Sequence, residues 1–518
     1  MLILALLACR PWDNLPEGNN TWLDDVAWDP AVVPAADGVY VRLPAAGDLV
    51  RVKPDGTFST VDLRGAAPET IVPAPDGETL LVTASWPVCD DDDPRIRYVS
   101  DCDDEDLSVE YELDLVREGE AFATAEVPPQ FNAFAFSDPE REGGALAVAY
   151  LDLEKAGDIE VDGILNLTEA VFVELGDGTS HAVPVGFAAE EVLFTEDGGS
   201  AVVLSRSRVA MVDLDTWSVV VSFPLTLDPD QDVQPTDVEL ITHTDDAGDV
   251  TDYALVSIEG REDLYVLDIT NQAIDIVELP AVPSDMLVDS TNERTVIVYG
   301  RKAQVDTMEH DRFELTPYEL DEPANTALGG DGMALLYYED GSYHDVIRFD
   351  PATGGTIEYR AENPVSGMYL TADHSYAVAT LDPESGSDPY DGWYGVGIFD
   401  LTDETDPVSF ALSGAPIGFE MVETDGVPYA LVLVEDHDEL LSLELPTAAS
   451  AGLALEEPPT GIAAMPGGLF VVTHPSALGL LSFVDPSEPD EDRAVRTAGG
   501  FATAGLLSEP ELPRRNEE

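Results

Sequence analysis

The sequence predicts an all-β chain, a β-propeller of four-stranded antiparallel blades, on three observations. A hairpin signal, Asp-Gly between two apolar runs, recurs along the chain, with Gly supplying the positive φ that such turns require. Behind it recurs a second signal, an apolar strand that ends in Asp and passes into a turn. The two return together at a period of about 40 to 50 residues, which suits propeller blades. Immunoglobulin-like units, at about 100 residues, are too long for this period.

The stretch "VLFTEDGGSAVVLSRSRVAMVDLDTW", residues 192–217, shows one unit. Asp197-Gly198 turns one apolar run into the next, and "VDLDT" closes the third run. The first signal recurs at Asp76-Gly77 and Asp331-Gly332, and in weaker form in "TADHSYAVAT" from Thr371 and "AMPGGLFVVTH" from Ala464. The second recurs as "LDITN" at 267–271, "FDPATG" at 349–354, "FDLTD" at 399–403 and "VDPSE" at 484–488. An Asp at such a position starts a turn because its carboxylate accepts a nearby backbone N–H. A fourth alternating run follows each time, such as "SVVVSFPL" from Ser218 or "AIDIVELP" from Ala273.

Units begin near residues 68, 131, 190, 235, 283, 325, 365, 416 and 460. Ahead of them, residues 38–63 hold only three strand runs, while "GGFATAGLL" at 499–507 reads as a strand without a unit. One missing and one spare predict that the last strand completes the first blade and leaves no open edge at the join. About ten units are then counted, within an expected range of seven to ten blades. The expected organisation is a signal peptide at 1–8, a linker at 9–34, the propeller at 35–507 and a polar tail at 508–518.

The charge is extreme. The 518 residues carry 104 Asp plus Glu against 23 Lys plus Arg, a formal net charge of −81. The only lysines are Lys53, Lys155 and Lys302. With 44% hydrophobic residues this is nevertheless a folding chain, not a disordered acidic tail. Phosphate binding needs a basic face, so the composition argues against nucleic acid and against anionic lipid as partners. Cations are the natural counterpart. The acid-rich, lysine-poor surface resembles that of proteins from salty habitats, where ions screen its self-repulsion.

The N-terminus, "MLILALLACRPW", contains Leu6-Leu7-Ala8-Cys9. That run resembles the lipobox of bacterial lipoproteins, a resemblance that implies cleavage before Cys9, lipid on its thiol, and a cell-envelope address at the outer membrane or cell surface. The lipid would be the only attachment to a membrane. The basic stretch that opens a signal peptide is missing, as a start placed too late would explain. The remaining cysteines, Cys89 and Cys102, lie in one acidic insertion, "WPVCDDDDPRIRYVSDCDDEDL". A disulfide between them would suit an exported protein.

The cadence "PxPDGxxLLV…VDLxT" resembles YVTN- and WD40-type β-propeller repeats over most of residues 35–507. Such motifs identify a fold, which hosts binding proteins, lactonases, hydrolases and scaffolds alike.

Catalytic signatures are absent: no G-x-S-x-G, H-E-x-x-H, C-x-x-C or C-x-x-C-H occurs. The seven histidines, at 181, 243, 310, 344, 374, 437 and 474, form no local constellation. Calcium is the one cofactor with some support. "DPDQDVQPTDVE" sets Asp228, Asp230, Asp232 and Glu239 at positions 1, 3, 5 and 12 of an EF-hand-like loop. Val233 replaces the glycine such a loop needs at position 6. One aromatic-rich loop, "DPYDGWYGVGIF", offers Tyr390, Trp393 and Tyr394 as a ligand surface. The reading that results is an exported, lipid-anchored propeller acting as a non-catalytic binding or scaffold protein for an envelope or extracellular protein or glycan. The alternative is a metal-dependent hydrolase or lactonase with its site at the channel mouth.

Overall fold

The computed structural model describes residues 28–507, apart from 45, 64–66, 90–106, 129–130, 142, 154–167, 207, 227–232, 245–246, 249, 340, 385–391 and 489. Its strands form ten four-stranded antiparallel sheets, each with its strands in chain order. The first strands of blades 1 to 10 are Val33–Ala35, Ala67–Pro73, Ala133–Phe136, Ala189–Phe194, Pro235–Thr244, Asp285–Asp289, Thr326–Gly330, Val365–Leu370, Pro416–Thr424 and Gly461–Met465. First strands of most neighbouring blades touch one another, and that of blade 1 touches those of both blade 2 and blade 10. They are therefore the inner strands of a closed ring. Every repeat start predicted from the turn signals lies within two residues of an inner strand.

Blade 4 shows why these residues form this unit. After the inner strand, Asp197 Oδ1 accepts the Gly199 N–H at 2.8 Å and the Thr195 hydroxyl at 2.7 Å, while Gly198 sits at φ +65°. The strands Ser200–Ser205, Arg208–Asp213 and Ser218–Pro224 follow. Asp213 Oδ1 then accepts the Thr216 N–H at 2.7 Å and its hydroxyl at 2.8 Å. The same device recurs at Asp268, Asp350, Asp400 and Asp485. The turn aspartates thus act as local acceptors, as their spacing predicts.

Alternation along each strand then builds the core. Ala201 and Val203 face the seam with blade 3, whereas Val202 and Leu204 face the seam with blade 5. A strand buried on both faces reads as a continuous apolar run, which is why "AVVL" carries no polar residue. Ten such cores occupy the ten seams, one each. Hydrogen bonds between turns supplement them: Arg348 Nη1 donates to Leu401 O at 2.7 Å and Thr424 Oγ1 to Gly468 O at 2.7 Å.

The expected closure is corrected. Blade 1 is complete from its own strands, because "VPA" at Val33–Ala35 supplies the inner one. Residues 499–507 add no strand to it: the outer strand of blade 10 ends at Gly499, and Phe501–Leu507 is a 3₁₀-helix. That helix seals the join by packing instead. Phe501, Ala502 and Ala504 enter one core with Val41 and Val50 of blade 1 and Val471 and Phe483 of blade 10. Trp28 meets the Phe501 ring edge-on at 5.2 Å and donates its indole N–H to Ser476 O at 2.7 Å.

Candidate functional site

In every blade the inner strand runs from one face of the ring to the other, so residues early in it share one end of the axis. Four carboxylates occupy such positions on three consecutive blades: Glu191 of blade 4, Asp237 and Glu239 of blade 5, and Asp285 of blade 6. Each is half-buried. Burial pushes Glu239 up to about 8, with Asp237, Glu191 and Asp285 adding repulsion. Glu191 rises to about 7 through burial and Asp237, and Asp237 to about 6 through burial and Asp285. Asp285 is raised by burial although it accepts the N–H groups of Met286 at 2.9 Å and Ala327 at 2.8 Å. Desolvated carboxylates facing each other hold protons that isolated ones lose. Near pH 7 this arc is partly protonated.

The arc continues into blade 7. Burial raises the Tyr337 phenol to about 12, with Glu339 and Asp285 as the next causes. Farther around the axis, on blades 8 and 9, Tyr369 and Phe419 stack at 4.2 Å, and Tyr369 is 42% exposed. Burial also raises Glu420 beside Phe419. The wall thus passes from acidic to aromatic. Among the described residues no three His, Cys, Asp or Glu converge as a metal site. A row of carboxylates strung along a wall suits a cation with extent, such as several ammonium or guanidinium groups, better than a bare ion.

The sequence-predicted residues fall as follows. Glu239 belongs to this arc, on a strand paired through its length with Val250–Ile258. Positions 8 to 12 of the EF-hand-like loop are accordingly strand, and Asp228, Asp230 and Asp232 lie outside the described residues. Tyr394 opens the third strand of blade 8 and packs on the core between blades 8 and 9. Trp393 is 48% exposed, its carbonyl accepting from Asn363 Nδ2 at 2.7 Å; Tyr390 is outside the described residues. Cys89 ends the second strand of blade 2, and Cys9 and Cys102 lie outside the described residues.

Of the histidines, His310 and His474 are buried: His310 faces the Thr295 hydroxyl at 3.0 Å and His474 the Ser482 hydroxyl at 2.8 Å. His243 pairs with Glu293 across the blade 5–6 seam at 2.9 Å. Of the arc, Glu239 alone is a sequence-predicted site residue; Glu191 and Asp285 lie far from it in the chain, and no local motif links them. The available signal was their recurrence at the repeat period: aligning the units sets Glu191 and Asp237 in one column, with Asp285 close to it.

No family model matches the chain, and no curated protein matches it. Solved structures that resemble it include the dihydro-heme d1 dehydrogenase NirN in complex with DHE, at 14% identity over 66% of this chain and 71% of that one, TM-score 0.42. Others are Hsv2 of Kluyveromyces lactis, at 13% over 60% and 96%, TM-score 0.34, and the Cps50 (Swd1) β-propeller domain of Myceliophteria thermophila, at 12% over 57% and 96%, TM-score 0.31. Likeness at this level reaches no further than the fold. By its own ten sheets the chain is a ten-bladed β-propeller.

Proposed function

We propose that this propeller is an exported, lipid-anchored binding or scaffold protein of the bacterial cell envelope, not an enzyme, and that its partner presents extended positive charge to the acidic arc. The observation that carries the binding reading is the arc itself: four mutually repelling carboxylates on adjoining inner strands. Such an arrangement costs the fold stability and is relieved by a bound cation. The lipobox-like Leu6-Leu7-Ala8-Cys9 supports the address, and the spacing of Asp228, Asp230, Asp232 and Glu239 supports calcium as a cofactor. Among the described residues no helix is long and apolar enough to cross a membrane.

Titration of a decalysine peptide tests the reading. The wild-type chain should bind it several-fold more tightly than the double variant Glu191→Gln/Glu239→Gln, at equal fold stability and fixed salt. Equal affinities would assign the attraction to the general surface and remove the arc from the account.

A further inference from the structure

A second concavity lies near the opposite end of the axis, between blades 3 and 4, and the acidic arc takes no part in it. Its volume is about 470 Å³, within the range of small-molecule sites. It exists because the turn from Phe136 to Leu146 is the longest of the ten inner turns and reaches toward blade 4. Arg141 fixes that reach. Its Nε donates to Gly198 O at 2.6 Å and its Nη1 to Gly144 O at 3.1 Å. Gly198 is required here, since a Cβ would lie 2.8 Å from Arg141 Cγ. The turn glycine that identified the repeat thus also seats the strut of a cleft.

The lining indicates what the cleft takes. Phe136 and Phe194 supply aromatic surface from the ends of two inner strands. Asp138 and Asp197 serve their own turns, accepting the Glu140 and Gly199 N–H groups. Glu140 and Glu196 are exposed on the rim, one from each blade. The one cation, Arg141, spends Nε and Nη1 on carbonyls. Two aromatic rings and four carboxylates, Asp138, Glu140, Glu196 and Asp197, against the single guanidinium of Arg141 give the lining a net negative charge that repels an anion. The lining complements an ammonium group on an apolar body. We propose that this cleft binds an organic cation carrying an aromatic or branched aliphatic body, as a small molecule distinct from the extended partner of the arc.

Methyl-resolved NMR with 4-phenylbutylammonium as the probe tests this. Binding should shift Val192 and Leu193 methyls. Glu140→Gln and Glu196→Gln should each weaken it roughly threefold, and the pair roughly tenfold, as expected of exposed charge contacts. Both positions are surface carboxylates, so the variants keep the fold. Glu239→Gln, in the arc, should leave the affinity read at the Val192 and Leu193 methyls unchanged, and 4-phenylbutyrate should not compete. The proposal is overturned if no shift appears at millimolar probe. It is equally overturned if the anion binds as well as the cation, or if the double variant binds as the wild type does.

Discussion

At the scale of single residues, Glu239 shows how a folded position can contradict a composition. One residue in five is acidic, and many of the described acids cap turns, as Asp197 and Asp213 do, or pair with arginine, as Asp37 does. Glu239 differs because strand pairing sets it where burial and three other carboxylates act on it together. Its folded pKa, about 8, lies above the unfolded value near 4.5. The native state therefore holds a proton that the unfolded chain has lost, and stability falls as pH rises from about 4.5 to 8. His310 acts with the opposite sign. Burial lowers it to about 4, so its contribution is full above about 6.5 and is lost as pH falls toward 4. The expected thermal profile peaks at mildly acidic pH. Glu239→Gln should raise the melting temperature at pH 8 and leave it nearly unchanged at pH 5, as scanning calorimetry at the two pH values would show. None of this was legible residue by residue, because the carboxylates of the arc are brought together by the ring and not by any local motif.

At the scale of elements, the turns were legible and the join was not. Asp-Gly and strand-terminal Asp act through hydrogen bonds within three residues, so a single sequence reveals them. The join depends on tertiary packing. "VPA" is three residues with a central proline, too short to stand out as a strand, and "FATAGLL" has the apolar content of a strand but folds as a 3₁₀-helix. Closure therefore rests on side chains. Phe501 is fully buried at the seam of blades 1 and 10, and Phe501→Ala should cost about 3–5 kcal/mol. Hydrogen exchange should show the loss first at Val39–Val52 and Val471–Phe483, with the opposite side of the ring protected until global unfolding. Uniform loss around the ring would mean that this seam is no weaker than the other nine.

At the scale of the whole molecule, −81 charges on 518 residues make ionic strength a structural variable. At about 0.01 M salt the screening length is about 30 Å and distant carboxylates repel; near 1 M it is about 3 Å and only neighbours do. The melting temperature should therefore climb substantially from low to high NaCl. A further rise from submillimolar Ca²⁺ that Mg²⁺ does not reproduce would indicate a specific calcium site, whereas a flat response to NaCl would refute the salt-adapted reading. Surface acids, however, are ionised at pH 7 whether or not a cation is near. The arc, with Glu191 at about 7 and Glu239 at about 8, must release protons when positive charge settles on it. Calorimetric titration of decalysine at pH 7, in two buffers of different ionisation enthalpy, measures that release. The account predicts net proton release at pH 7 that fades by pH 9 and is lost in Glu191→Gln/Glu239→Gln; binding with no proton release at pH 7 would contradict it.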